Sequence, residues 1–136
     1  MISKLDLKRL LSSQEGFKLK PYKDTAGKIT IGVGRCLDDI GISPDEAMMM
    51  LDNDIERAIN SARVFKWFDG LSDTRQNAII CMIFNLGLGG FSEFKNMIKA
   101  FEDKDYALAS KEMLDSKWSA QVGNRATILA RMVSDG

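Results

Sequence analysis

The 136-residue chain contains no histidine. That absence removes a Ser-His-Asp triad, a Cys-His pair and an HExxH zinc site at one stroke, because each needs an imidazole. Cysteine is nearly as scarce. Cys36 and Cys81 stand alone, with no CxxC spacing, so neither a disulfide framework nor a zinc or redox motif is expected. Both read as free thiols, with Cys81 buried in the apolar stretch Ala78–Phe84 and Cys36 partly exposed after a glycine-rich strand. Carboxylates are what remain for acid-base work.

Net charge is also missing: nineteen basic residues offset nineteen acidic ones. A neutral chain lacks the positive face on which nonspecific nucleic-acid binding depends, and loses long-range steering toward anionic polymers. Lys18, Lys20, Lys23 and Lys28 fall in one short segment and make a local basic edge, for which solvated strand and turn positions are the plainer reading. No apolar run approaches the roughly 18 residues of a membrane span. Lys4, Asp6, Lys8 and Arg9 interrupt the segment where a signal peptide carries its hydrophobic region, so none is expected. No internal repeat or low-complexity tract is visible. At this length and 45% apolar content, one folding unit with a real core is expected.

What is present organises as helix, hairpin, then helices. Ser3 with Asp6 starts a first helix whose apolar face is Leu7, Leu10 and Leu11 and which ends near Gly16. Residues 18–34 alternate and turn as a small antiparallel sheet, with Pro21 suited to an edge strand and Gly27 to a turn position of positive φ. Ser43-Pro44-Asp45-Glu46 is a strong helix start. It predicts a long helix over about 44–63, with Ala47, Leu51, Ile55, Ala58 and Ile59 on its apolar face. Further helices are expected over Asp73–Leu86, Ser92–Phe101, Tyr106–Leu114 and Asn124–Val133, with a break at Gly87, Gly89 and Gly90.

The most informative feature is the run from Glu15 to Gly34, in which Asp24 follows Glu15 by nine residues and Thr30 follows Asp24 by six. Glycosidic bonds are commonly cleaved by two carboxyl groups on opposite sides of the linkage, one giving a proton and the other handling water. Here Glu15 closes a helix and Asp24 opens an Asp-Thr-Ala-Gly turn, so a hairpin can hold one acid opposite the other. Singly, each has an ordinary reading as a helix-end or turn acid. Gly32 and Gly34 do not make a dinucleotide fingerprint, because position 37 is leucine. They suit close approach of the backbone to another group.

This run resembles the T-even phage lysozymes of glycoside hydrolase family 24, whose signature is an acid-Gly opening, a Tyr-Lys-Asp turn and a Thr-Ile-Gly-x-Gly strand. Phe84-Asn85-Leu86-Gly87, Gly90-Phe91, Ser116-Lys117-Trp118 and Asn124-Arg125-Ala126 follow in the family's order, so the resemblance covers most of residues 1–134. It implies an α+β, lysozyme-like fold, in which a small antiparallel β-hairpin lobe is joined by a long helix to an all-helical lobe. A single lysozyme domain over 1–136 is expected. Its β lobe would cover about 16–42 and its linking helix about 44–63, with the N-terminal helix joining a helical lobe over about 71–134. The short stretch Arg35–Ser43 implies a trimmed sheet lobe.

The resemblance further implies an endolysin-type muramidase cutting the β-1,4 bond from N-acetylmuramic acid to N-acetylglucosamine. Glu15 would be the general acid, while Asp24 and Thr30 would hold and activate water. Single displacement with inversion calls for carboxyl groups roughly 6.5 to 9.5 Å apart, and the resemblance implies no metal and no cofactor. Gly34 and Phe84 are the expected substrate contacts, and Arg125 is expected to reach Glu15. Arg35 stands where the family often pairs a histidine with a helix acid, and an Arg35–Asp54 ion pair is expected. The chain departs from the family at Cys36, Phe94 and Glu112. Two alternatives remain: a lytic transglycosylase, against which Asp24 and Thr30 argue, and a non-catalytic peptidoglycan-binding module. The expected partner is cell-wall peptidoglycan, with no nucleic acid, no stable membrane insertion and a monomeric state. The host cytoplasm is the expected location, with action on the wall after release through the inner membrane.

Overall fold

A computed structural model describes all of residues 1–136, and its chain divides into two compact units, Met1–Met49 and Met50–Gly136. In the first unit, helix α1 spans Lys4–Glu15. The Ser3 hydroxyl accepts the Asp6 N–H at 3.3 Å, satisfying one of the N–H groups that a helix start leaves open. The helix stops because Gly16 takes φ +83°, and its N–H bonds Ser12 O at 3.1 Å. Glu15 is thereby the last helical residue.

Strands β1 (Lys18–Lys23), β2 (Ile29–Gly32) and β3 (Arg35–Cys36) form an antiparallel sheet in the order β1-β2-β3. The expected hairpin thus gains a short third strand. Thr30 lies on the central strand, opposite Tyr22 on one side and Cys36 on the other. Pro21 sits on edge strand β1, where one side needs no N–H donor. A register shift between Lys18 and Tyr22 marks an irregularity in the β1–β2 ladder.

Helix α2 (Pro44–Ala62) starts as the sequence predicts. Glu46 N–H donates to the Ser43 hydroxyl at 3.1 Å and Ser43 N–H donates to Glu46 Oε1 at 2.9 Å, a reciprocal capping box. Of its predicted apolar face only Ala58 is buried, together with Ala62.

The second unit adds α3 (Asp73–Ser92), α4 (Lys95–Glu102), α5 (Tyr106–Leu114), α6 (Lys117–Val122) and α7 (Asn124–Asp135). Gly87, at φ +73° and ψ 167°, interrupts α3 where the glycines predict a break, after which the helix resumes to Ser92. Helix α6 has no counterpart in the sequence-based expectation. The core of this unit is built on Ile79, Met82, Phe91, Met97, Phe101, Met113 and Val133, each essentially inaccessible to water. Each such side chain stabilises by about 1.5–3 kcal/mol through burial. Ser110 donates to Ala130 O at 2.8 Å, and Arg75 Nε donates to Val133 O at 2.7 Å, fastening α5 and α3 to α7. The α+β lysozyme-like class is thus the observed one, with seven helices and one small sheet.

Cys81 corrects an expectation: it is exposed, not buried. Ala78, Ile79, Met82 and Ile83 are the buried stripe of α3 at i, i+3 and i+4 spacing, and position 81 falls off that stripe. Cys36 is partly exposed, as expected. No single helix is long and apolar enough to cross a membrane.

Candidate active site

The hairpin gathers the sequence-predicted acids by local hydrogen bonding. Asp24 N–H donates to Lys28 O at 2.9 Å and closes the turn. The Asp24 carboxylate stabilises the same turn, since its Oδ1 accepts the N–H groups of Ala26 and Lys28, both at 2.9 Å. Oδ2 has no such role. One carboxylate oxygen is therefore fixed by the backbone while the other accepts no hydrogen bond from the protein.

Thr30, on the central strand, is only 4% exposed. Its hydroxyl donates to Lys28 O at 3.1 Å, so its proton is committed and its lone pairs are left to accept. Asp38 accepts the Ile29 N–H at 2.8 Å, holding the start of β2 in place.

Glu15 reaches the opposite end of this hairpin. A Cβ built on Gly34 would lie 3.0 Å from Glu15 Oε2 and 3.2 Å from its Cδ, so the carboxyl group rests against the Gly34 backbone. Gly34 also holds φ +68°, a region costly for L residues. The second glycine of Gly-x-Gly is thus required twice, once for its backbone conformation and once for the approach of an acid. Gly34→Ala is expected to destabilise by about 1–2 kcal/mol through the positive φ. It should also displace the Glu15 carboxyl group, which lies where the new methyl would go. Urea unfolding checks the loss, and unchanged stability in Gly34→Ala would remove both the backbone conformation and the contact as constraints.

The remaining predicted residues lie in the second unit. Phe84 on α3 is 49% exposed, so it is not the core aromatic that its helical spacing with Ile79 and Ile83 allowed. Arg125, also exposed, lies in the first turn of α7. Phe84 and Arg125 line one hollow of about 810 Å³, together with apolar side chains that include Leu51, Ile55 and Ile80. The neighbouring Asn85 accepts the Trp118 indole N–H at 2.8 Å. Two motifs that the sequence displays separately are joined by this bond, which spacing alone does not reveal.

The expected Arg35–Asp54 pair is replaced by another. Arg35 makes a two-pronged contact with Glu46, Nη1 to Oε1 and the second amino group to Oε2, each 2.8 Å, and also donates to Gly41 O at 3.0 Å. Asp54 pairs instead with Arg57, one turn along its own helix, at 3.1 Å. The cause is local: the capping box already fixes Glu46 in the first turn of α2, whereas Asp54 lies eight residues, about 12 Å of helix, further on. The Ser43-x-x-Glu46 pattern was the available signal for this acid.

The Arg35 guanidinium, then the Ser43 N–H, hold the Glu46 carboxyl down from an ordinary 4.5 to about 2. A carboxyl with a lowered folded-state pKa contributes stability above its unfolded pKa and loses it as pH falls. Glu46→Gln should therefore melt below the parent at neutral pH, and the gap should close between about pH 4.5 and about pH 2. Melting curves that stay parallel down to pH 2 would remove the ion pair as the cause.

A helix-borne acid set against a hairpin that carries a second acid and a buried threonine supplies the two carboxyl groups that glycosidic cleavage commonly uses. Comparison with known proteins agrees. Residues 12–132 match the Phage lysozyme family. The chain is 29% identical over 160 residues to Probable T4-type lysozyme 1 of Dictyostelium discoideum, covering 96% of this chain and 94% of that protein. It is 30% identical over 130 residues to an endolysin of Acyrthosiphon pisum secondary endosymbiont phage 1, covering 91% and 85%. It is also 27% identical over 161 residues to the pre-baseplate central spike protein Gp5 of Enterobacteria phage T4, covering 97% of this chain and 28% of that protein. The chain belongs to the phage lysozyme family and is a peptidoglycan-hydrolysing lysozyme.

Proposed function

We propose that this lysozyme is an endolysin-type muramidase that hydrolyses the β-1,4 bond between N-acetylmuramic acid and N-acetylglucosamine by single displacement with inversion. Glu15 gives its proton to the leaving glucosamine oxygen. A water on the opposite face of the muramic ring donates one hydrogen bond to Thr30 and loses its other proton to Asp24 as its oxygen bonds to C1. The glycosidic C–O bond breaks, water is added across it, and solvent restores the protonation of the two acids. No metal or cofactor enters the reaction.

The observation that supports this reading is the hairpin itself, on which Glu15 meets Gly34 at one end while Asp24 keeps one carboxylate oxygen free at the other. Gly34 offers sugar a backbone without a side chain, and the exposed Phe84 ring offers it an apolar face. Arg125, which lines the same hollow as Phe84, is a supporting residue in this proposal. Arg125→Ala should lower hydrolysis by about tenfold. Unchanged kinetics in Arg125→Ala would exclude this role.

The two units act as one lysozyme domain and as a monomer, made in the host cytoplasm and reaching the wall after release through the inner membrane. Mass analysis of digested peptidoglycan tests the reaction class: reducing muramic ends are expected, whereas anhydromuramic ends would make the protein a transglycosylase. Intact walls would make it a binding module. Light scattering and cell fractionation check the monomer and the cytoplasmic pool.

A further inference from the structure

The chain's zero net charge hides a strong asymmetry. Residues 1–28 hold seven bases against three acids, a net charge of +4, while the rest of the chain holds twelve bases against sixteen acids, net −4. Charge placed on one segment, unlike charge spread evenly, gives the surface a field even when the total vanishes.

Over the whole first unit the excess falls to +1, because residues 29–49 add one base and four acids, but none of those acids pairs with a lysine of β1. Of its acids, Asp24 is used by turn N–H groups, Asp38 by the Ile29 N–H, Asp39 by Lys28 and Glu46 by Arg35. Lys18, Lys20 and Lys23 are paired with no acid of their own unit. All three are exposed on β1, which is the edge strand of the sheet. That strand begins three residues after Glu15 and ends immediately before Asp24, so the lysines occupy the stretch of chain between the two proposed catalytic acids.

We infer that the β1 edge is an electrostatic docking rail for the carboxylates of the peptide-substituted glycan strand. The inference rests on the muramidase reading and deepens it by naming what brings the polymer to the hairpin. The lysines touch no reacting atom. They raise the local concentration of an anionic polymer beside the site, an effect that salt screens because the charges are exposed. An otherwise neutral enzyme thereby recovers the steering that its composition withholds.

The test separates docking from turnover by using the full chain with Glu15→Gln. Its binding to purified peptidoglycan is measured by sedimentation at low salt and at about 0.5 M salt, where the screening length falls to a few Å. Walls are used either native or with their carboxyl groups amidated. Adding Lys18→Gln, Lys20→Gln and Lys23→Gln together should weaken binding to native walls about tenfold at low salt. At high salt and on amidated walls, the difference should vanish. Replacing the same three lysines by arginine should preserve binding. Neutralising Lys66, Lys104 and Lys111, which changes net charge equally but in the second unit, should leave binding intact.

No loss in the β1 variant, an equal loss in the second-unit variant, or a loss that persists on amidated walls would overturn the inference. So would parent binding to phosphatidylglycerol vesicles as tight as to walls, since a lipid surface would then be the better occupant. Because turnover is not read, an absence of hydrolysis in product analysis would remove the muramidase reading without removing a lysine-dependent binding result.

Discussion

Replacing Glu15 by glutamine should leave the protein folded and reduce peptidoglycan hydrolysis by about 10²–10⁴-fold, the usual contribution of a positioned general acid. The amide keeps the shape of the carboxyl group. It can therefore occupy the same space against Gly34, where Oε2 now lies about 3.0 Å from a hypothetical Cβ. The Gly16 cap that ends α1 depends on the Ser12 carbonyl and is untouched by the substitution. What the amide cannot do is release a proton to a leaving alkoxide. Thermal melting of the two proteins alongside clearing of purified walls separates these effects. Near-parental clearing by a folded Glu15→Gln protein would end the assignment.

Asp24→Asn should be nearly as damaging, again by about 10²–10⁴-fold, with little loss of stability. The distinction matters because Asp24 has an ordinary structural role as well as the proposed one. Its Oδ1 accepts two main-chain N–H bonds of the turn, and an asparagine carbonyl oxygen can accept both. The second oxygen becomes an amide nitrogen, which cannot take a proton from water. Asp24→Ala, by contrast, breaks the two turn bonds and should cost about 1–2 kcal/mol in addition to activity. If Asp24 served only the turn, the Asp24→Asn protein would be active and the Asp24→Ala protein merely unstable.

Much of this arrangement is legible in the residues because it is local. Ser43-Pro44-Asp45-Glu46 starts α2 through bonds spanning three residues, and the Asp24 turn closes over four. Such contacts are written into spacing. Strand β3, with two residues, is too short to show alternation, and α6, with six, is too short to show a helical stripe. Cys81 is misjudged from sequence for a related reason. Every residue from Ala78 to Phe84 is apolar, so composition gives no phase, and only packing decides that Met82 faces inward while Cys81 and Phe84 do not.

The site divides in the same way. Glu15, Asp24 and Thr30 stand out as candidates by residue type and order, as does the Gly-x-Gly that follows. The sequence does not disclose that Gly34 is approached by the Glu15 carboxyl, because glycine records the need for space without naming what fills it. The expected partner of Arg35 is an acid eight residues too far along α2, where the capping box already presents Glu46. Asn85 and Trp118 stand 33 residues apart, beyond the reach of any local pattern.

The claim that Glu15 and Asp24 act from opposite sides of one bond is tested most directly by the anomer first released. Peptidoglycan fragments digested in an NMR tube should show the α-configured muramic product before the β form, because water entering opposite the departing β-linked sugar inverts C1. A β product appearing first would instead require two displacements and a covalent intermediate, and would contradict the assigned roles of Asp24 and Thr30.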